Sequence, residues 1–301
     1  MANAQSRAPL PADNGVGPSS IWLPPGPWRT VLEFLQSRFA DVPSATWIAR
    51  MEQRKVVDAQ GTPLFPDSAY RSGVRLYYYR ELPAETRIPF EETILYRDEH
   101  ILVVDKPHFL PVIPAGRFLQ ETLLVRLKRK LQLDFLVPIH RLDRETAGIV
   151  LFSTKPESRG AYHSLFQRRA VRKTYEALAP LPAGASFPMT RRSRLVEGQP
   201  FFRMQEVDGA ANSETHVEIL EIRSDVALYR LTPVTGRKHQ LRVHMAALGM
   251  PILNDPFYPE LQPSKGDDFS RPLQLLAKAI AFNDPVDGTS RRFESLQALT
   301  K

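Results

Sequence analysis

The segment His140-Arg141-Leu142-Asp143-Arg144-Glu145-Thr146-Ala147-Gly148 sets a carboxylate among cations directly ahead of an apolar run. Arg141 and Arg144 flank Asp143, and nearby positive charge favours an ionised carboxylate. Ionised at neutral pH, such a group serves as a nucleophile or electrostatic stabiliser and makes a poor general acid. For this segment alone the competing reading is a surface loop of ordinary ion pairs, each contributing at most about 1 kcal/mol. Leu142 separates Arg141 from Asp143, unlike the His-Arg-Asp of a kinase catalytic loop, and no Asp-Phe-Gly follows. Glycosidase chemistry asks for two carboxylates flanking the bond. Glu145 is the only acidic neighbour here, and the cations beside Asp143 speak against a shared acid/base pair.

A second group, Thr235-Gly236-Arg237-Lys238-His239-Gln240-Leu241-Arg242-Val243-His244, gathers cationic and polar donors at the expected start of a helix. Helical periodicity puts His239 and Arg242 on one side and Leu241 on another. His239 and His244 stand five apart, which does not align two metal ligands as a spacing of four does. Free backbone N–H groups at a helix N-terminus suit phosphate or carboxylate. Cations there are disfavoured by the helix dipole, so their concentration points to an anion, against the simpler reading of a solvated basic helix start. A third group, Arg168, Arg169, Arg172 and Lys173, precedes Thr174-Tyr175-Glu176-Ala177. Cations beside an aromatic form the general design for holding unpaired nucleotides. Taken alone, Tyr175 reads more simply as a core tyrosine with its hydroxyl at the rim.

The elements that must position these groups follow from periodicity. Asp143 precedes an apolar strand over 148–154, a helix over 157–169 comes next, and a strand over 173–179 carries Tyr175. Alternating strands at 215–222 and 227–232 lead to a helix over 238–248, stopped by Gly249 and Pro251. Upstream, apolar runs at 94–96 and 101–104 flank Arg97-Asp98-Glu99-His100 as a hairpin. Leu119, Leu123, Leu124, Leu127 and Leu131 predict a helix over 118–131, basic on its other face through Arg126, Lys128, Arg129 and Lys130. Short strands with interspersed helices indicate an α+β fold, a mixed, mainly antiparallel sheet with flanking helices, rather than a doubly wound parallel sheet. Residues 1–20 lack periodicity and read as a disordered tail. Helical spacing over 31–39, a helix over 44–53 with Ser44 as N-cap, and strands near 55–57 and 75–79 give a small α+β domain over 21–82. Residues 83–91 read as a linker, leaving 92–301 for the larger domain.

Composition narrows the partners. Of 301 residues, 40 are Lys or Arg and 33 Asp or Glu, a net charge of +7 that suits a polyanion. The absence of cysteine removes disulfides, thiolate nucleophiles and Cys-ligated zinc. No apolar run approaches the roughly 18 residues of a membrane span, and the N-terminus lacks the pattern of a secretory signal. A cytoplasmic monomer without metal or cofactor is expected.

In this order, the three groups resemble the RluA-type RNA pseudouridine synthases over residues 92–284. His140-Arg141-Leu142-Asp143 with Thr146 and a Gly-led strand is similar to the family's catalytic-aspartate motif. Lys173-Thr174-Tyr175 is similar to the strand of its active-site tyrosine, and Thr235 to His244, continuing to Gly249-Met250-Pro251-Ile252, to its third motif. The stretch from Ile101 to Pro111, with Lys106-Pro107 and Leu110-Pro111, resembles its opening strand and loop. Ala147 stands where the family often has Ser, and Asn254 where Gly is common. The first domain is similar to a small RNA-binding module of a ribosomal small-subunit protein, with fewer cations on its helices.

The resemblance implies isomerisation of uridine within RNA: the glycosidic bond breaks, the base turns, and carbon 5 rejoins the ribose. Asp143 would attack the substrate or assist abstraction from the ribose, with Arg242 pairing with it. Tyr175 would stack on a flipped base and help remove the carbon 5 proton. His140 and Arg141 would fill the vacated space. Arg144, Arg168, Arg172, Lys173, Arg237, Lys238, His239 and Gln240 would meet the RNA. Ribosomal (large-subunit) and transfer RNA are the implied substrates, ribosomal RNA slightly favoured by the extra domain. The rival is a non-catalytic RNA-binding or ribosome assembly factor. A pure binder has no use for a carboxylate among its cations, because that charge repels phosphate.

Overall fold

The computed structural model describes residues 8–80, 85–263 and 266–300. By its contacts the chain divides into two units, residues 1–85 with 116–120, and residues 86–115 with 121–301. In the first unit, β1 (Ser19–Trp22) leads to α1 (Val31–Arg38), where the Thr30 hydroxyl accepts the Glu33 N–H at 3.2 Å as an N-cap. The next helix, α2 (Ser44–Glu52), is capped by Pro43 rather than by Ser44. Pro43 already supplies the extended backbone a cap needs (φ −55°, ψ 139°), so Ser44 falls inside the first turn. Then β2 (Val56–Val57) and β3 (Arg75–Tyr78) complete an antiparallel sheet of order β1-β3-β2. Phe34, Leu35, Trp47, Met51 and Leu76 form its core against the helices. Pairing of Ser19 with Tyr78 brings regular structure into the stretch expected as a tail, and Asp13 bridges Val16 upstream of it. Residues 1–7 of that stretch lie outside the described residues, as do residues 83 and 84 of the expected linker.

The second unit opens with the hairpin β4 (Thr93–Arg97) and β5 (Ile101–Lys106). Helix α3 (Leu123–Leu131) begins five residues later than its leucine spacing predicts, because the Thr122 hydroxyl accepts the Val125 N–H and caps it there. β6 (Val137–Pro138), β7 (Ala147–Ser153), α4 (Pro156–Gln167) and β8 (Arg172–Pro180) follow. α4 starts on proline, whose missing N–H costs nothing in the first turn. β9 (Met189–Glu197), β10 (Met204–Val207), β11 (Ser213–Arg223) and β12 (Val226–Pro233) form a run of antiparallel partners ahead of α5 (Gln240–Ala247). β13 (Leu275–Asn283) and β14 (Ser290–Glu294) complete the unit. The sheet order is β10-β9-β11-β12-β8-β13-β7-β5-β4, with β14 on β13 and β6 on β7. It is mixed and mainly antiparallel: among the described residues only β13 and β7 pair in parallel, through Leu276↔Ala147 and Ala277↔Gly148. Gly148 has φ +110°, and a Cβ there would overlap the Ala277 backbone, so only glycine allows the close approach. Among the described residues no helix is long and apolar enough to cross a membrane.

Candidate active site

Asp143 lies on the loop joining β6 to β7, and the Thr146 N–H closes a turn onto its carbonyl at 3.2 Å. The loop is held from beneath by the end of β5. The fully buried Lys106 ammonium donates to the carbonyls of Pro107, Leu110 and Arg144 at 3.0, 2.8 and 3.2 Å. His108 Nδ1 donates to the Glu145 carbonyl at 2.7 Å. Burial pushes Lys106 down to about 7, with Glu145 and Asp143 pulling the other way. Burial likewise takes His108 down to about 4, so its ring is neutral.

Arg242, 1% exposed on α5, reaches the loop from the other side of the unit. Its Nε and Nη2 form a fork on Asp255, at 2.8 and 2.7 Å, while Nη1 donates to Asp143 Oδ2 at 3.1 Å. Glu145 Oε2 lies 3.9 Å from the same Nη1. The guanidinium also stacks 4.8 Å from the Phe257 ring centroid. Burial works against the charge of Arg242, but bonding to Asp255 and the fields of Asp143 and Glu145 outweigh it and raise its pKa further. Asp255 is fixed in turn by the backbone N–H groups of Phe257 and Tyr258, at 2.8 and 3.2 Å.

His239 completes this shell. The Tyr258 hydroxyl accepts the Met204 N–H at 2.7 Å and shares a hydrogen bond of 2.9 Å with His239 Nδ1. His239 Nε2 lies 3.8 Å from Asp143 Oδ2. Burial lowers His239 to about 4, so its ring is neutral. For Asp143, burial opposes ionisation, but Arg242, with help from His239 and Lys106, holds the carboxyl below its ordinary range. The direction matches the sequence expectation while the cause differs: the cations responsible come from β5 and α5, not from Arg141 and Arg144. Asp143 Oδ1 has no hydrogen-bond partner among the described residues, and the side chain is 27% exposed.

That side chain opens on a cavity of about 540 Å³ lined also by His140, Lys173, Tyr175, Leu275 and Arg242. Tyr175 stands on β8, packed against the core beneath α5. Burial and the charge of Asp143 raise its pKa, so the phenol stays protonated. Lys173, two residues earlier on the same face of β8, donates to the Thr235 carbonyl at 3.0 Å. Arg141, Arg237 and Lys238 are exposed at the cavity rim.

Several residues expected to meet RNA line the cavity and are also bonded within the protein. His140 Nε2 accepts the Leu151 N–H at 3.2 Å, and its ring stacks on Phe166 at 4.8 Å. Arg144 donates to the Phe109 carbonyl at 3.0 Å and lies 3.7 Å from Glu145. Gln240 is buried: its amide donates to the Glu214 carbonyl and Thr215 hydroxyl, and its oxygen accepts from Thr235 and the Arg237 N–H. It braces the turn into α5, where the left-handed His239 (φ +53°) supplies the bend. Arg168 and Arg172 are exposed but line no part of the cavity. Lys106, Asp255, Phe257 and Tyr258 are site residues that the motifs did not single out by role. The one local signal is Asn254, whose φ of +63° marks the tight turn that presents Asp255.

Residues 100–247 match the family described as RNA pseudouridylate synthase. The chain is 32% identical over 206 residues to the dual-specificity RNA pseudouridine synthase RluA of Haemophilus influenzae, covering 67% of this chain and 91% of that protein. It is 30% identical over 269 residues to the ribosomal large subunit pseudouridine synthase D of Pseudomonas aeruginosa, covering 83% of this chain and 82% of that protein. Among solved structures, human RNA Pseudouridylate Synthase Domain Containing 1 superposes with a TM-score of 0.57 at 25% identity, over 69% of this chain and 84% of that one.

Proposed function

Because the chain belongs to the RluA-type family of RNA pseudouridine synthases, we propose that it isomerises specific uridines in large-subunit ribosomal or transfer RNA, with Asp143 as the catalytic carboxylate. The observation that carries the assignment is the state of Asp143. One carboxylate oxygen is held by Arg242, the other is free, and both sit in a cavity with Tyr175. In the isomerisation the bond from ribose carbon 1′ to nitrogen 1 breaks, a bond from carbon 1′ to carbon 5 forms, and carbon 5 loses a proton while nitrogen 1 gains one. The reaction is redox-neutral and has no second substrate, so no cofactor enters the proposal. Oδ1 of Asp143 is available either to attack the ribose or to take a proton from it. Arg242 orients the carboxylate and keeps it charged while Asp255 keeps Arg242 in place. Tyr175 stacks on the turned base; its environment disfavours a standing phenolate, so its hydroxyl takes the carbon 5 proton only as it passes its own on toward nitrogen 1.

A uridine paired in a helix cannot reach a carboxylate recessed in this way, so the target must leave its stack. Large-subunit ribosomal RNA is the favoured substrate, because the relative of that name aligns over the larger share of this chain. The test is pseudouridine mapping of total cellular RNA from the parent strain, a deletion strain, and the deletion rescued with Asp143→Asn. A site lost on deletion and still absent with the variant is expected, and its location names the substrate. Restoration of the site by Asp143→Asn would overturn the catalytic assignment.

A further inference from the structure

Beside the cavity that holds Asp143 lies a second one, of about 360 Å³, lined by Phe166, Arg169, Lys173, Val234, Gly236 and Arg237 among others. The two share Phe166, Lys173, Thr235, Gly236 and Arg237 as common walls. We propose that this second chamber binds the nucleotide adjacent to the target uridine, its phosphate among Arg169, Lys173 and Arg237 and its base against Phe166 and Val234. The proposal rests on the first cavity being the one that takes the target.

Charge is the first support. Three cations converge on one chamber, and the side chain of Arg169 makes no hydrogen bond or ion pair among the described residues. The carboxylate that feels its charge, Glu214, is already bonded through both oxygens to Arg192. Arg237 gives only its Nε, to the Asn212 carbonyl at 3.3 Å, which leaves its terminal nitrogens for a ligand. Lys173 is half-buried, and its pKa is lowered by burial and by Arg169, a conflict that an anion between them would relieve. The end of α4 favours cations through its dipole, which accounts for Arg168 at the C-cap. It does not account for Arg169, whose left-handed backbone (φ +56°) turns the chain at the chamber, or for the convergence with β8 and the Arg237 turn.

Shape is the second support. Phe166 already stacks on His140, which fixes the ring, and Val171 and Val234 add apolar surface. Cations combined with an aromatic wall suit one unpaired nucleotide, its phosphate on the former and its base on the latter. Because the walls are shared, a strand with one nucleotide in the first cavity can continue directly into the second.

The experiment uses the full chain and a synthetic stem–loop RNA around the uridine identified by mapping. Two further copies carry an uncharged methylphosphonate at the linkage on one or the other side of the target. The variant is Arg169→Gln, a residue the chain already tolerates in left-handed conformation at Gln132 (φ +54°). Loss of one charge-assisted phosphate contact is expected to lower kcat/KM about tenfold. The wild type should lose that factor on one methylphosphonate RNA. Arg169→Gln should lose it on unmodified RNA, lose little more on that same methylphosphonate RNA, and show a shallower salt dependence. Wild-type kcat/KM in Arg169→Gln, or a further tenfold loss in that variant on both methylphosphonate RNAs, would overturn the chamber. A wild type that converts no RNA would instead overturn the functional reading beneath it.

Discussion

Arg242 holds two carboxylates through three hydrogen bonds and lies near a third, so its removal should be felt twice. Arg242→Met leaves Asp255, itself 1% exposed in its side chain, as a buried charge without its partner, an arrangement that costs about 3–5 kcal/mol. Urea unfolding should report that loss, and pseudouridine formation should fall with it. Asp143→Asn should behave differently: turnover disappears, while RNA affinity by fluorescence anisotropy and thermal stability stay close to the parent. Lys106 gives a pH signature. Its folded pKa of about 7 is depressed from 10.5, so the unfolded chain binds more protons between those values. Its contribution to stability is therefore fullest above pH 10.5 and is lost as pH falls toward 7. The stability difference between parent and Lys106→Met should move in favour of the parent from pH 7 to pH 10, and a flat difference would contradict the depressed pKa. At this scale the sequence displays the contiguous residues well. Asp143 announces itself by its charged neighbours, and the resemblance supplies Arg242 as its partner, yet Lys106 beneath the loop and Asp255 behind Arg242 come from separate elements that no local pattern reports. Gln240 adds what a polar motif does not display: it is buried and braces the turn into α5.

The elements that hold the site show what periodicity can and cannot reveal. β7, β8, β11 and β12 were legible because each alternates or runs apolar between clear breaks, and each lies within two residues of its expected ends. β9 was not, because Arg191, Arg192 and Arg194 mask its alternation, although ion pairs from Arg191 to Glu206 and Arg192 to Glu214 tie them across the sheet. β13 mixes small and large apolar residues around Lys278, a pattern that fits helix or strand equally. Gly148 could be read as the start of a strand, but not as the contact that needs glycine. Gly148→Ala must separate β7 from β13 or strain the backbone, at about 3 kcal/mol, which should lower Tm by about 10 °C. Gln240→Ala should cost about 2–3 kcal/mol through unsatisfied buried groups at the turn into α5. If Gln240 met RNA instead, affinity would fall while unfolding stayed unchanged.

For the whole molecule, the modest net charge of +7 is less informative than where the cations stand. Arg126, Arg191, Arg192 and Arg291 are committed to carboxylates, whereas Arg141, Arg168, Arg172 and Lys238 are exposed without an ion pair among the described residues. Binding of RNA by Asp143→Asn should weaken steeply with added salt. Changing Arg168 and Arg172 to Gln together should make the log–log slope shallower by about 1.5 if each meets one phosphate. An unchanged slope would remove both from the interface.

The placement of β13 also bears on the order of events at the ribosome. The Asp143 loop feeds β7 and Tyr175 rides on β8, and these two strands do not pair with each other: β13 is inserted between them. β13 comes nearly a hundred residues after β8 in the chain, so the two halves of the site are joined by a strand synthesised well after both. Such long-range closure is slow relative to local hairpins. A nascent chain stalled before Leu275 would carry Asp143 and Tyr175 without the strand that joins β7 to β8, so the cavity they share cannot close until β13 has left the exit tunnel.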